Sequence, residues 1–174
     1  MRGRIITGFG LLVVILAIVA GGSAWQVRHH RSVIGDVESH SRRATLLQEA
    51  EAQAGIAALS LQRYVIAEDA ALPPGVKLAS EVQFYASAGV ESLMEAAAQQ
   101  GAADVSDITV TGAGLAQGAS AVIALRQAGD AEGAAAAIEE LVPVFYEFRR
   151  QLEDATALEI QEVSNLREEA DAAG

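Results

Sequence analysis

The sequence predicts an all-α protein, in which an N-terminal transmembrane helix continues into an antiparallel up-down-up-down four-helix bundle. Residues 5–27 carry no charged side chain, the rest of the chain repeats apolar residues at intervals of three and four, and three breaks divide that repeat. Alanine is abundant and aromatic residues make up only 5% of the chain. This composition favours closely packed helices over a sheet.

The uncharged stretch at residues 5–27 is long enough to cross a membrane. At about 1.5 Å per residue it spans the roughly 30 Å hydrocarbon layer with some tilt. The alternative is a cleaved signal peptide, for which Gly22-Ser23-Ala24 offers a cleavage site, but such peptides have a shorter apolar core of about 7–15 residues. Trp25, Arg28 and Arg31 suit the membrane interface. We therefore expect a retained anchor.

The orientation of the anchor follows from the size of the region after it. Arginines flank the apolar stretch on both sides, so the positive-inside rule is nearly balanced. A long domain is translocated largely regardless of its charge. We expect residues 1–4 in the cytoplasm of a bacterial cell and residues 28–174 on the periplasmic or extracellular side of the cytoplasmic membrane.

Composition excludes several classes of partner and site. The chain has no cysteine, which excludes disulfides and thiolate metal or redox sites. It has 12 basic and 23 acidic residues, a formal net charge of −11, and every acidic residue follows the anchor. Such a surface repels a phosphate backbone, so we expect no nucleic acid partner. The charge is instead expected to keep the outer region soluble.

Three breaks organise the outer region into four helices. They lie at residues 72–75, 100–104 and 128–130, and the last combines a glycine that can end one helix with an aspartate that can cap the next. The predicted helices lie near residues 32–71, 76–100, 105–128 and 131–170. Short connections make consecutive helices antiparallel. An even number of helices then returns the chain end, residues 166–174, to the membrane.

Each predicted helix has a stripe of apolar or small residues that should face the bundle core. The stripe of the fourth helix changes phase before Ile160, and Pro143 should cause a kink or a break because it removes one backbone hydrogen bond. The predicted core comprises Val33, Val37, His40, Ala44, Leu47, Ala50, Ala54, Ala57, Leu61, Tyr64, Val82, Tyr85, Gly89, Leu93, Ala96, Val105, Ile108, Leu115, Ala119, Val122, Ile138, Leu141, Phe145, Phe148, Leu152, Ile160, Val163 and Leu166.

The third helix has the least regular sequence. Gly112, Gly114 and Gly118 each cost about 1 kcal/mol relative to alanine in a helix interior, and the β-branched residues around them also fit a strand. No other segment offers a partner strand. We therefore expect a loosely wound helix that packs closely against its neighbours.

Two segments resemble a known family. One is Ala124–Val163, "ALRQAGDAEGAAAAIEELVPVFYEFRRQLEDATALEIQEV", with a Gly-Asp turn, a small-residue helix start and a proline within the helix. The other is Leu61–Asp69, "LQRYVIAED", at the end of the first helix. Together with the layout of the whole chain, they resemble the extracytoplasmic four-helix-bundle sensor domain of bacterial methyl-accepting chemotaxis proteins and of related sensor histidine kinases.

The resemblance implies a function in signal transduction. A receptor of this kind binds a ligand outside the cell and relays the signal by a displacement of helices across the membrane. It acts as a homodimer in which the first helices face each other, and the stripe Ala50, Ala54 and Ala57 suits either that interface or the core of a single chain. Such receptors continue into a second membrane helix and an output domain. Since the sequence ends at Gly174, we expect a fragment or a truncated relative.

The resemblance also implies a class of ligand. Amino-acid receptors of the family hold the ligand carboxylate with arginines, whose planar donors match that group. An amino acid, an organic acid or a binding protein is the expected partner, although the surroundings of these arginines do not match the family residue by residue. The candidate ligand-binding residues are Arg42, Arg43, Arg63, Tyr64, Arg149 and Arg150.

Several patterns argue against an enzyme. The sequence has no phosphate-binding glycine loop, no Gly-x-Ser-x-Gly turn and no cysteine nucleophile. The three histidines, His29, His30 and His40, lack the Glu-x-x-His spacing of di-iron bundles, so we expect neither a metal nor a cofactor. The alternative to a sensor is a membrane-tethered helical bundle with a structural or protein-interaction role. An apolar stripe exposed on a smooth bundle would favour it, whereas a pocket lined by arginine and tyrosine would favour the sensor.

Overall fold

The computed structural model describes residues 2–67, 73–99 and 105–172, with the backbone alone described for residues 2–31 and 73–74. These residues form four helices: α1 (Arg2–Ile66), α2 (Pro73–Ala98), α3 (Ser106–Gln127) and α4 (Ala131–Ala172). None of the described residues forms a strand. The prediction of an all-α chain with four helices is confirmed, and the strand alternative for residues 105–128 is wrong.

Two helix ends differ from their expected positions. The first helix ends at Ile66 rather than near residue 71, and the second begins at Pro73 rather than at residue 76. Proline is tolerated in the first turn of a helix because the N–H that it lacks would have no partner there. The prolines at positions 73 and 74 therefore start α2 instead of preceding it.

The proposed membrane anchor, residues 5–27, lies within α1, whose backbone is helical from Arg2. The side chains of this stretch, with Trp25, Arg28 and Arg31, lie outside the described part of the structure. Among the residues that are described in full, α3 alone is long and apolar enough to cross a membrane, with a mean hydropathy of 1.5.

The turn between α3 and α4 forms as the sequence predicts. Gly129 has a φ of +84°, in the left-handed region that glycine adopts without strain. The N–H of Asp130 bonds to the carbonyl of Leu125 at 3.0 Å, which closes the end of α3. The Asp130 carboxylate accepts a hydrogen bond from the N–H of Gly133 at 2.8 Å and so caps the start of α4.

The helices pack as a ring in which α1 and α3 each contact both α2 and α4. Gly112 and Gly118 permit the close packing of α3. A Cβ atom at Gly112 would lie 2.9 Å from Leu93 of α2 and 3.1 Å from Phe148 of α4, and one at Gly118 would lie 2.5 Å from Leu141 of α4. Because these two positions carry no Cβ atom, α3 can pack closely against α2 and α4. This close packing explains why a segment of low helix propensity forms a helix in this bundle.

The buried residues form two apolar clusters along the bundle. One cluster surrounds Leu47, Leu93 and Leu152, which are 1%, 0% and 0% exposed, and the other surrounds Tyr64 and Val122, both 0% exposed. All five residues belong to the predicted core. Burial of the Ala50 side chain in the first cluster favours the core interpretation of the alanine stripe.

The fourth helix departs from the predicted pattern in two ways. It continues without a break through Pro143, so the break that was one expected outcome does not occur. The phase change before Ile160 is also wrong, because Ile160 is 53% exposed whereas Glu159 is only 4% exposed. The buried face of α4 continues in phase from Leu152, and Glu159, seven residues later, places a carboxylate on it.

Candidate functional site

A groove of about 720 Å³ lies between the four helices and is lined by residues from each of them. Gly89 of α2 lets that helix approach α1, since a Cβ atom there would lie 3.5 Å from the carbonyl oxygen of Ala50. Small residues line the groove from α1, including Ala54, Gly55 and Ala58. A Cβ atom at Gly55 would have no neighbour within 4 Å. Where larger side chains would fill a bundle core, these residues leave room for a small molecule.

Part of the groove lining is aromatic. Tyr85 of α2 and Phe145, Tyr146 and Phe148 of α4 belong to it. Phe148 is buried, Tyr85 and Phe145 are half-buried, and Tyr146 is 64% exposed at the rim. Aromatic rings beside small residues are typical of sites that take flat apolar ligands.

One ion pair lies in the wall of the groove. Arg149 donates to the same Glu51 oxygen, Oε1, from Nε at 3.1 Å and from Nη2 at 2.9 Å. Nη2 also donates to Glu153 Oε1 at 3.0 Å. The positive charge of Arg149 is therefore compensated by two carboxylates. The amides of Gln48 and Gln62 are the other polar side chains in the part of the lining contributed by α1.

Of the six predicted ligand-binding residues, only Arg149 lines the groove. Arg42 is exposed and donates to Glu95 at 2.7 Å. Arg63 is exposed. Tyr64 is fully buried in the apolar core, and none of the described residues forms a hydrogen bond with its hydroxyl group. The structure thus does not bring the six residues together into one site.

Arg150 lies on the outer surface of α4 and forms a local ion pair. It donates to Glu147 at 2.7 Å and 3.0 Å, one turn earlier in the helix. The hydrogen bonds from Arg150 lower the pKa of the Glu147 carboxyl group, and the pKa of Arg150 is raised in return by the same contact. Both groups are exposed, so this pair stabilises the fold little.

The sixth predicted residue, Arg43, forms a buried cluster with His40 and Glu159. Arg43 is 1% exposed, and its Nη2 donates to Glu159 Oε2 at 2.9 Å. His40 Nδ1 lies 2.6 Å from each of these two atoms. A ring nitrogen carries either a hydrogen or a lone pair, so Nδ1 donates to Glu159 or accepts from Arg43 but does not do both at once. The cluster joins α1 directly to α4.

Sequence reasoning missed both the groove and the carboxylate of this cluster. Glu159 follows Leu152 by seven residues, a spacing that keeps both residues on one helical face, and this spacing is the signal that could have identified it. No comparable signal marked the groove. Among the described residues, no group of three His, Asp or Glu side chains has a geometry that could hold a metal ion.

No protein-family model matches this chain, and comparison with curated proteins and with solved structures finds no similar protein. The resemblance to sensor domains therefore depends on the two sequence segments and on the layout of the chain. The groove and the buried cluster provide independent observations on which a function can be argued.

Proposed function

We propose that the chain is the extracytoplasmic ligand-sensing domain of a bacterial chemoreceptor-like membrane protein. A small molecule binds in the groove between the four helices, and the resulting change in helix packing is relayed across the membrane by a displacement of helices. The role is binding rather than catalysis. The proposal includes residues 5–27 as the membrane anchor and an antiparallel up-down-up-down bundle outside the cell.

The observation that carries this proposal is the continuity of α1. Its residues 48–62 contribute to the groove wall, and the same helix is unbroken back to Arg2 through the apolar stretch. At about 1.5 Å per residue, roughly 30 Å of helix separate the groove from the end of the proposed anchor. A movement of α1 at the groove would therefore reach the membrane through one stiff element, without an intervening loop.

Contacts between α1 and α4 support the antiparallel arrangement. Arg43 bonds to Glu159, and Glu51, further along α1, bonds to Arg149, which is earlier on α4. Residues later in α1 thus pair with residues earlier in α4, and the contacts between α1 and α2 follow the same antiparallel order. In this arrangement the end of α4 comes back toward the part of α1 that follows the anchor.

The mechanism requires two packings of the bundle with different affinities for the ligand. The groove wall supplies a means of coupling, because a ligand that fills the space beside Gly55 would contact α1 where its side chains are smallest. It would also contact the rings of Phe145 and Tyr146 on α4. Ligand binding would then change the spacing of α4 relative to α1 by the kind of small helix shift that switches use.

A groove-filling variant tests the proposal. Gly55→Leu places a large side chain in the groove, where a Cβ atom meets nothing within 4 Å, so it should block binding without destabilising the helix. The matched control is Gly35→Leu, at another α1 glycine with nothing within 4 Å of a Cβ position and no part in the groove lining.

The measurement is a thermal-shift screen of the full chain in detergent micelles against amino acids, organic acids and amines. At a ligand concentration about 100 times Kd, binding stabilises the folded state by about 2.7 kcal/mol. A ligand of the groove should raise the Tm of the parent and of Gly35→Leu but not that of Gly55→Leu. A screen in which no compound gives a shift that Gly55→Leu abolishes would contradict the proposal.

The homodimer is part of the same proposal. Ile34 of α1 is 64% exposed, so its side chain faces away from its own bundle and could meet the first helix of a second copy. Because the chain has no cysteine, a cysteine introduced at Ile34 should form disulfide-linked dimers on oxidation in membranes. The control is a cysteine at Gln83, exposed on α2. Equal crosslinking of the two variants would count against a dimer formed through the first helices.

A protein partner is the alternative, and one observation favours it. Leu59 and Tyr146 at the groove rim are 58% and 64% exposed, and Ile56 nearby on α1 is 42% exposed. Exposed apolar side chains beside a groove are typical of a surface that binds another protein. A chain that gives no groove-dependent shift with any small molecule, yet loses a partner when Leu59 is changed to Lys, would establish this alternative.

A further inference from the structure

We infer that the groove selects a ligand with a flat apolar body and a cationic amine, rather than the carboxylate ligand that the sequence predicts. This inference depends on the proposed function, because it names the chemical class of the molecule that the groove binds. Three observations support it: the shape of the groove, the ion pairs that Arg149 already forms with carboxylates, and the negative charge around the groove.

The shape and lining of the groove suit a small aromatic molecule. Its volume of about 720 Å³ lies within the range of about 300–1,000 Å³ that is usual for small-molecule sites. Tyr85, Phe145 and Tyr146 present aromatic rings to it. Such rings stack with a flat ligand and also attract a cation placed over their faces.

The arginine of the groove is already bound by carboxylates. Arg149 directs Nε and Nη2 at Glu51 and directs Nη2 also at Glu153, at distances of 2.9–3.1 Å. The Nε–Nη2 edge that could hold a ligand carboxylate in a bidentate pair is occupied, so such a ligand would either displace Glu51 or bind Nη1 alone. In either position it would lie close to the negative charges of Glu51 and Glu153. Removing a carboxylate from its charge-assisted hydrogen bonds is unfavourable, so this groove discriminates against acids.

The same carboxylates would favour an ammonium group. The Arg149 hydrogen bonds reach only Oε1 of Glu51, which leaves Oε2 as an acceptor on a half-buried carboxylate in the groove wall. The local charge of Glu51, Glu153 and Arg149 together is negative, and the chain as a whole has a formal net charge of −11. This field raises the local concentration of cations and lowers that of anions.

Three probes of similar shape test the inference: 2-phenylethylamine, 3-phenylpropionate and 2-phenylethanol. Binding to the full chain in detergent micelles is measured by isothermal titration calorimetry. We expect the amine to bind at least about tenfold more tightly than the acid, since hydrogen bonds to charged groups are stronger than those between neutral groups. The neutral alcohol should fall between them.

The variant Glu51→Gln tests whether the Glu51 carboxylate recognises the positive charge of the amine. It keeps an oxygen that can accept from Arg149 but removes the carboxylate, so affinity for the amine should fall about tenfold while affinity for the alcohol changes little. Glu49→Gln is the control, because Glu49 is exposed on the same helix and does not line the groove. It should leave the affinities for all three probes unchanged.

Each outcome separates the inference from the proposed function. Equal or tighter binding of the acid, or an amine affinity that Glu51→Gln does not lower, would overturn the cationic selectivity while leaving a ligand groove in place. Failure of the amine to bind would also overturn the inference. Whether the groove binds any small molecule is decided separately, by the loss of thermal shifts in Gly55→Leu.

Discussion

Replacing Glu159 with leucine tests the energetic role of the buried cluster that joins α1 to α4. The Arg43 side chain is 1% exposed and donates to Glu159 at 2.9 Å. In the variant the guanidinium stays buried but has lost this carboxylate. Removing one partner of a buried ion pair destabilises a protein by about 3–5 kcal/mol, because the remaining charge loses the opposite charge that compensated it in a medium of low polarity.

This loss is large compared with the stability of a typical protein, which is about 5–15 kcal/mol. In a chain of this length, 1 kcal/mol changes the Tm by about 2–4 °C. The Glu159→Leu variant should therefore melt about 6–20 °C below the parent. The Tm is measured by far-ultraviolet circular dichroism on the full chain in detergent micelles. Glu162→Leu is the control, since Glu162 is exposed on the same helix and surface changes usually stay within about 0.5 kcal/mol.

The double variant Arg43→Met/Glu159→Leu makes the test specific. Apolar residues of similar volume often replace a buried ion pair at no loss of stability, so the double variant should be more stable than Glu159→Leu alone. Two results would refute the reasoning. One is a single variant that melts within about 2 °C of the parent, equivalent to less than about 1 kcal/mol. The other is a double variant that shows the sum of the two single losses.

Three further substitutions test other contacts. Gly114→Ala should stabilise the chain by about 0.5–1 kcal/mol through helix propensity, whereas Gly112→Ala should be at least about 1 kcal/mol less favourable because its Cβ is crowded; equal effects in urea unfolding would contradict the packing of α3. Arg150→Gln should raise the pKa of Glu147 toward its ordinary value, because the hydrogen bonds from Arg150 that lower it are lost. The variant should also lose the small stabilisation from this pair, which is present at neutral pH and disappears as the pH falls through that pKa. An unchanged NMR titration of Glu147 would refute the contact. Tyr64→Phe should be at least as stable as the parent, since the buried hydroxyl has no partner among the described residues, and a large decrease in Tm would show that it has one.

Much of the fold could be predicted because its signals are local. The apolar repeat placed Leu47, Leu93 and Leu152 in the core, where they are 1%, 0% and 0% exposed. The turn at Gly129 and Asp130 followed from the backbone freedom of glycine and from capping by aspartate. Such rules require knowledge only of neighbouring residues, so the sequence is sufficient for them.

Local rules could place Glu159 on the buried face of α4, but they could not predict its pairing with Arg43 or the groove. A pattern of apolar and polar residues assigns Arg43 to the surface, since charged residues are almost never fully buried unless they are paired, and the pairing spans 116 positions. The groove depends on the open space beside Gly55 between the four helices. In the sequence, Gly55 appears only as a residue of low helix propensity. Its role becomes visible when the helices are assembled.

The bond between Arg43 and Glu159 has a consequence for how far the bundle could move. Sliding α4 along α1 by a full helical turn, about 5.4 Å, would pull the two charges apart inside the protein and cost about as much as deleting one of them. An axial excursion of about an ångström would merely stretch the contact. The cluster therefore limits any sliding of α4 along α1 to a small fraction of a helical turn.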